Sequence, residues 1–198
     1  GVAITGYRAP SFSIDRRTPW AYMELAEQGF VYSSSVAPIT HDHYGWREAP
    51  RFAFKPLPWS DLIEIPVTTA LFAGRRLAAG GGGFFRVLPY AFSRWAIRQV
   101  NQRDGRPAVF YFHPWEIDWQ QPRVPGTTPK TRFRHYVNLR RTEPRLRRLL
   151  RDRRVRVGDA NGARGLADRR GARRRHAVWR GDRVRSGLSG AARQGADA

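Results

Sequence analysis

The chain has no cysteine among its 198 residues. Disulfides, thiolate metal sites and a cysteine nucleophile are excluded, although the absence names no compartment. Lysine is scarce as well, with only Lys55 and Lys130, so arginine carries the basic charge. No apolar run is long enough to span a bilayer as a helix. Gly1 to Pro10 hold no basic stretch followed by an apolar one, so no signal peptide is expected there. The chain opens on Gly1 instead of Met, and its true start is expected upstream. The hydrolase patterns Gly-x-Ser-x-Gly and His-Glu-x-x-His are missing too. Gly80 to Gly83 are followed by Phe84-Phe85-Arg86, not by the Lys and Ser/Thr of a phosphate loop. That run is expected to make a turn or a close backbone contact.

Positive charge is abundant, at a formal net +20. Residues 1–150 carry a net +11 and residues 151–198 a net +9, so a quarter of the chain holds nearly half the excess. From Arg153 onward the chain is mostly Arg, Gly, Ala and Asp, with Trp179 as the one aromatic residue. So little apolar surface cannot offset the ordering entropy, and residues 153–198 are expected to be disordered. GC-rich coding would account for the Arg bias, and a shifted reading frame is the expected origin of residues 153–198. A tail of this charge also suggests non-specific nucleic-acid binding, a competing function class. No sequence-specific nucleic-acid partner is expected, because aromatic residues are not interleaved with the arginines.

Residues 1–152 read as an α/β fold with parallel strands. Val2 to Ile4 begin a strand running toward Arg8. Thr18 and Pro19 open a helix that Gly29 stops, with Trp20, Met23, Leu25 and Ala26 as its stripe. Phe30 to Tyr32 and Leu62 to Val67 are further strands, with a long ordered loop at 37–60 between them. Pro89 opens a helix whose face is Phe92, Trp95, Ala96 and Val100. Ala108 to Phe112 read as a strand buried on both faces. A last helix starts near Thr142 and sets Leu146, Leu149 and Leu150 on one side.

In such folds, working residues sit at the carboxyl ends of strands. Arg8 and His113 fall there. An arginine at a strand end can hold a carboxylate ionised and oriented, or make a surface ion pair. His113, beside Pro114-Trp115-Glu116, is either a general acid or base or a structural strand cap. Pro10 fixes the backbone so that the Ser11 N–H can face a developing oxyanion. His41-Asp42-His43 has the alternation of a metal pair but is too common a pattern to assign. Trp46, Trp59, Trp115 and Trp119 offer faces for sugar rings or for ordinary packing.

An ordered set of segments goes further. It runs Gly6-Tyr7-Arg8-Ala9-Pro10-Ser11-Phe12-Ser13-Ile14, Tyr32 to Pro38, His41-Asp42-His43-Tyr44-Gly45, Glu64-Ile65-Pro66, Gly81 to Arg86, Phe110 to Glu116, Pro122 to Gly126 and Phe133 to Tyr136. Together these resemble the polysaccharide deacetylases of the NodB-homology family, in the branch associated with exosortase and exopolysaccharide loci. The resemblance implies the C-terminal part of an incomplete (β/α) barrel. It implies hydrolysis of N-acetyl groups on an acetylated amino-sugar polysaccharide with a divalent metal, usually zinc. Arg8 matches the arginine that orients the base carboxylate, and the Ser11 N–H matches the oxyanion donor. His113 matches the acid that protonates the leaving amine. Phe110 and Phe112 match the wall of the acetyl pocket, with Trp115 beside them on the substrate side. The family's Thr-Phe-Asp-Asp-Gly and His-x-x-x-His segments, which supply the base and the metal ligands, would precede Gly1. This chain is therefore expected to be inactive alone. Ser33 stands where the family often has Asp, so Arg8 is expected to be held less firmly.

Overall fold

The computed structural model describes residues 3–41 and 44–152. Asp42, His43 and the Arg-rich segment 153–198 lie outside the described residues, and with them the expectations about a histidine pair and a disordered tail. The fold is mixed α/β, with helices around two small sheets and no closed barrel among the described residues. No helix among them is long and apolar enough to cross a membrane.

The first sheet is parallel, with strand order β1 (Gly6–Tyr7), β2 (Tyr32–Ser33) and β3 (Ile63–Glu64). Its register aligns Tyr7, Ser33 and Glu64 across the sheet. The next residues, Arg8, Ser34 and Ile65, therefore leave the carboxyl end side by side. Strand β1 starts at Gly6, later than Val2 to Ile4, because the Thr5 carbonyl accepts the first cross-strand bond, from Val31 N–H at 2.8 Å. The second sheet is the hairpin of β4 (Thr69–Phe72) and β5 (Arg75–Ala78), turned by Ala73 and Gly74 at positive φ.

Helix α1 (Trp20–Glu27) ends as expected at Gly29, whose φ is 77°. Phe30 N–H closes the helix on Leu25 O at 3.0 Å, a glycine-capped end. Its buried stripe is Tyr22 and Leu25, whereas Trp20 and Met23 are exposed. Thr18 does not cap the helix with its side chain, because its hydroxyl accepts the N–H of Asp15 instead. The loop after β2 carries buried Val36, Trp46 and Ala49, which with Leu62, Ile14 and α1 form the first core cluster.

Helix α2 (Gly82–Val87) grows out of the glycine run. A side chain at Gly80 would strike Val109 O, and one at Gly82 would strike the Glu116 carboxylate, so the expected close backbone contact is present. Helix α3 (Tyr90–Arg98) buries Ser93, Ala96 and Ile97 and leaves Trp95 partly outside. It runs into a π-helical turn, Gln99–Arg103. Helices α4 (Pro129–Tyr136) and α5 (Leu139–Arg151) complete the fold. Helix α5 starts earlier than Thr142 and holds Pro144 inside it, with Leu149 buried and Leu150 exposed.

The segment 108–112 is not a regular strand buried on both faces. It forms a single parallel bridge, Gly81 to Tyr111, and its residues are half-buried or exposed. Thr68 and Gly80 to Gly82 bond one edge of it, and no described strand lies along the other.

Candidate functional site

The site grows from the aligned strand ends. Arg8 Nε donates to Ser34 O at 2.9 Å and Nη2 donates to Ser34 Oγ at 2.7 Å. Ser34 Oγ donates onward to Ile65 O at 2.7 Å, so a chain of bonds crosses all three strand ends. Ser34, not Ser33, fixes the guanidinium. Its carbon centre lies 5.6 Å from the ring centroids of both Phe12 and Tyr111. Loss of hydration among these groups lowers the basicity of Arg8 from its ordinary value. Among the described residues no carboxylate forms an ion pair with Arg8.

The grip depends on strained backbone. Ser11 and Phe12 both adopt left-handed φ, 54° and 51°. Each such non-glycine residue costs about 1–3 kcal/mol. Burial of Phe12 against Tyr44, at 5.6 Å between centroids, and Tyr111, at 5.0 Å, offsets that cost.

Beneath Arg8 lies Glu64, whose side chain is fully buried. Its Oε1 accepts the N–H groups of Ser35 at 2.8 Å and Val36 at 3.0 Å. Ser35 Oγ accepts from Ser33 Oγ at 2.8 Å and from Ala9 N–H at 2.9 Å. Glu64 thus shapes the backbone that presents Ser34 to Arg8. Its second oxygen, Oε2, and the neighbouring buried Tyr22 hydroxyl lie close enough to act on each other but outside hydrogen-bonding geometry among the described residues. Burial raises the Glu64 carboxyl above the usual carboxylate range, although Ser33, the two backbone N–H groups and Tyr22 pull the other way. Burial first, and then the Glu64 charge, raises Tyr22 as well.

Tyr111 links this centre to His113, with ring centroids 6.0 Å apart and edge-to-face. Burial pushes the Tyr111 phenol up, with Tyr44 adding to it. A ring series continues from His113 to Trp115 at 5.9 Å and from Trp115 to His135 at 4.2 Å, both nearly parallel. Gln121 fixes the far imidazole through His135 Nε2 at 2.9 Å. His113 itself is exposed. Its backbone N–H donates to Glu116 Oε2 at 2.8 Å, and Glu116 Oε1 accepts from Arg86 Nε at 3.0 Å. Arg86 spends its remaining donors on three carbonyls, those of Arg134, His135 and Val137. This buried pair ties α2 and α4 to the turn that carries His113.

The structure therefore brings Arg8, Ser11, His113 and Trp115 into one neighbourhood through Phe12 and Tyr111. It places Phe110 elsewhere, packed on Phe85 at 5.1 Å in the cluster with Ile97 and Leu149. Side chains alternate along an extended segment, so Phe110 and exposed Phe112 face away from Tyr111 and His113. Trp46 is core, Trp59 is exposed, and Trp119 carries Arg140 over its ring at 4.3 Å. His41 stacks on Tyr44 at 4.1 Å. Sequence reasoning missed Tyr111, Glu64 and Tyr22. For Glu64 there was a signal, one carboxylate inside the apolar strand Leu62 to Val67.

A model of a family described as a domain of unknown function (DUF3473) matches residues 34–159, which takes in Ser34, Glu64, Tyr111 and His113 and starts after Arg8. No curated protein matches the chain. No solved structure matches it.

Proposed function

Because the chain belongs to the DUF3473 family of domains of unknown function, we propose a function from its residues: it is the C-terminal part of a NodB-type barrel that removes N-acetyl groups from amino sugars of a polysaccharide. One observation carries this reading. Arg8 and His113, far apart in sequence, both pack against the Tyr111 ring, at 5.6 and 6.0 Å from its centroid. In the proposed hydrolysis a water oxygen adds to the acetyl carbon and the C–N bond then breaks. His113 gives the leaving nitrogen its proton, so a free amine and acetate result. Arg8, fixed by Ser34 and without an ion pair among the described residues, orients a carboxylate base. The Ser11 N–H is the donor toward the developing oxyanion.

The metal that the resemblance implies would supply carbonyl polarisation and water activation. The described residues do not fit it, because no group of three His, Asp or Glu among them is placed to hold an ion.

The test uses a protein in which Thr-Phe-Asp-Asp-Gly and His-x-x-x-His segments precede Gly1. Amine release from acetylated amino-sugar oligomers is expected, and Arg8→Ala or His113→Ala should each lower it about 100-fold or more. Unchanged rates in both variants would overturn the site.

A further inference from the structure

We propose that the groove along the outer side of α3 and its π-helical turn binds a carboxylate-bearing oligosaccharide. The polysaccharide reading above supplies only the class of polymer; the groove uses neither Arg8 nor His113. It is an open depression of about 510 Å³ bordered by Arg94, Trp95, Arg98, Gln102 and Arg103 among others.

The helix geometry assembles these side chains. Arg94 and Trp95 precede Arg98 by four and three residues and Gln102 follows it by four, which sets them along one face of the helix. In a π turn residues five apart come into line, which adds Arg103 to the face of Arg98. The turn is pinned by Gln99, whose amide bonds both backbone groups of Leu71, at 2.7 and 2.8 Å.

The chemistry is that of an anionic sugar. Asp152 accepts from Arg94 Nε at 2.9 Å and lies 3.9 Å from Arg98 Nη2. Arg148 covers Tyr90 at 4.5 Å and acts on the Tyr90 hydroxyl together with Arg94 and Arg98. Two guanidiniums thus share one carboxylate, and Arg103 adds a third at the far end. Arg98 Nε is buried with no hydrogen-bond partner among the described residues. Guanidinium forks pair with carboxylates. Trp95 is 38% exposed and is held by Phe92 at 5.6 Å and Phe72 at 6.1 Å, a fixed flat surface for a sugar ring. Gln102 offers a donor and an acceptor for hydroxyls. The chain's own sequence beyond Asp152 does not complement this groove, because residues 151–198 carry a net +9.

The full chain is titrated calorimetrically with a galacturonic acid oligomer, a glucose oligomer of equal length and a single-stranded oligonucleotide of equal charge. The galacturonate is expected to bind and the glucose oligomer not. Arg98→Gln, Arg103→Gln and Trp95→Ala should each weaken binding about tenfold. Arg132→Gln, on α4, should leave it unchanged. If Trp95→Ala misfolds, Gln102→Ala at the exposed rim replaces it, with a smaller loss expected. No galacturonate binding, an equal loss from Arg132→Gln, or tighter binding of the oligonucleotide would overturn the proposal. Absence of amine release in the deacetylase assay would leave this result standing, and the reverse also holds.

Discussion

The molecule holds two arginine–glutamate regions, and they are built in opposite ways. Around Arg86 and Glu116 every strong group is used. The side chains are 3% and 2% exposed, the ion pair is 3.0 Å long, and the leftover donors and acceptors meet backbone. Around Arg8 and Glu64 the charges do not pair. Arg8 is bonded to a serine, Glu64 is bonded to two amides, and Glu64 Oε2 is left over. A satisfied buried pair holds elements together. A region with unspent polar capacity is where ligand or proton chemistry has something to act on.

The largest effect should come from breaking the satisfied pair. Glu116→Ala leaves the Arg86 guanidinium buried without its carboxylate and frees the His113 N–H. A loss of about 3–5 kcal/mol in urea unfolding is expected, enough to unfold a marginal domain. Arg8→Ala removes two bonds at an exposed residue and should cost about 1 kcal/mol or less by the same measurement. Comparable losses in the two variants would erase the distinction between the regions.

A smaller effect follows the Glu64 carboxyl by pH. Glu64 is raised in the folded state by burial. Between its unfolded and folded values the native state holds more protons than the unfolded state, so stability falls as pH rises. The contribution is complete below the unfolded value and is lost as pH climbs through the folded one. Glu64→Gln keeps an oxygen for Ser35 and Val36 but cannot ionise. Unfolding followed from pH 4 upward should show wild type losing stability relative to Glu64→Gln. Parallel curves would mean that the carboxylate is ionised and accommodated at little cost.

The legible and illegible parts of the site divide along physical lines. Arg8 and His113 stood out in the sequence because a polar residue after an apolar run is a local pattern; that both pack against Tyr111 was not legible. Gly29 and the glycine run were legible because positive φ and close contact demand glycine. The pairing of Arg86 with Glu116 was not legible, since nothing local marks which arginine meets which glutamate across 30 positions. Phe110 and Phe112 were put on the substrate side by the resemblance, and Tyr111 was not singled out, for a related reason. Alternation shows that Phe110 and Tyr111 face opposite ways, but only packing against Phe85 or Phe12 shows which way is the site. The extended segment 108–112 also lacked a second neighbour to make it a full strand, and no composition rule reports that.

The smallest effect is the sharpest test of whether the Glu64 region is unsatisfied. The Tyr22 hydroxyl is buried beside Glu64, its ionisation is suppressed first by burial and then by the Glu64 charge, and its contact with the carboxylate falls outside hydrogen-bonding geometry among the described residues. Removing such a group loses no bond and spares a desolvation cost. Tyr22→Phe should therefore leave stability unchanged or raise it by up to about 1 kcal/mol. A clear loss would mean that the hydroxyl donates to Glu64 Oε2 in solution. Glu64 would then be a satisfied residue like Glu116, and the pH difference from Glu64→Gln should shrink with it. Measuring the two substitutions together, as a double-mutant cycle, settles which account holds, because only a real bond gives them a coupling energy.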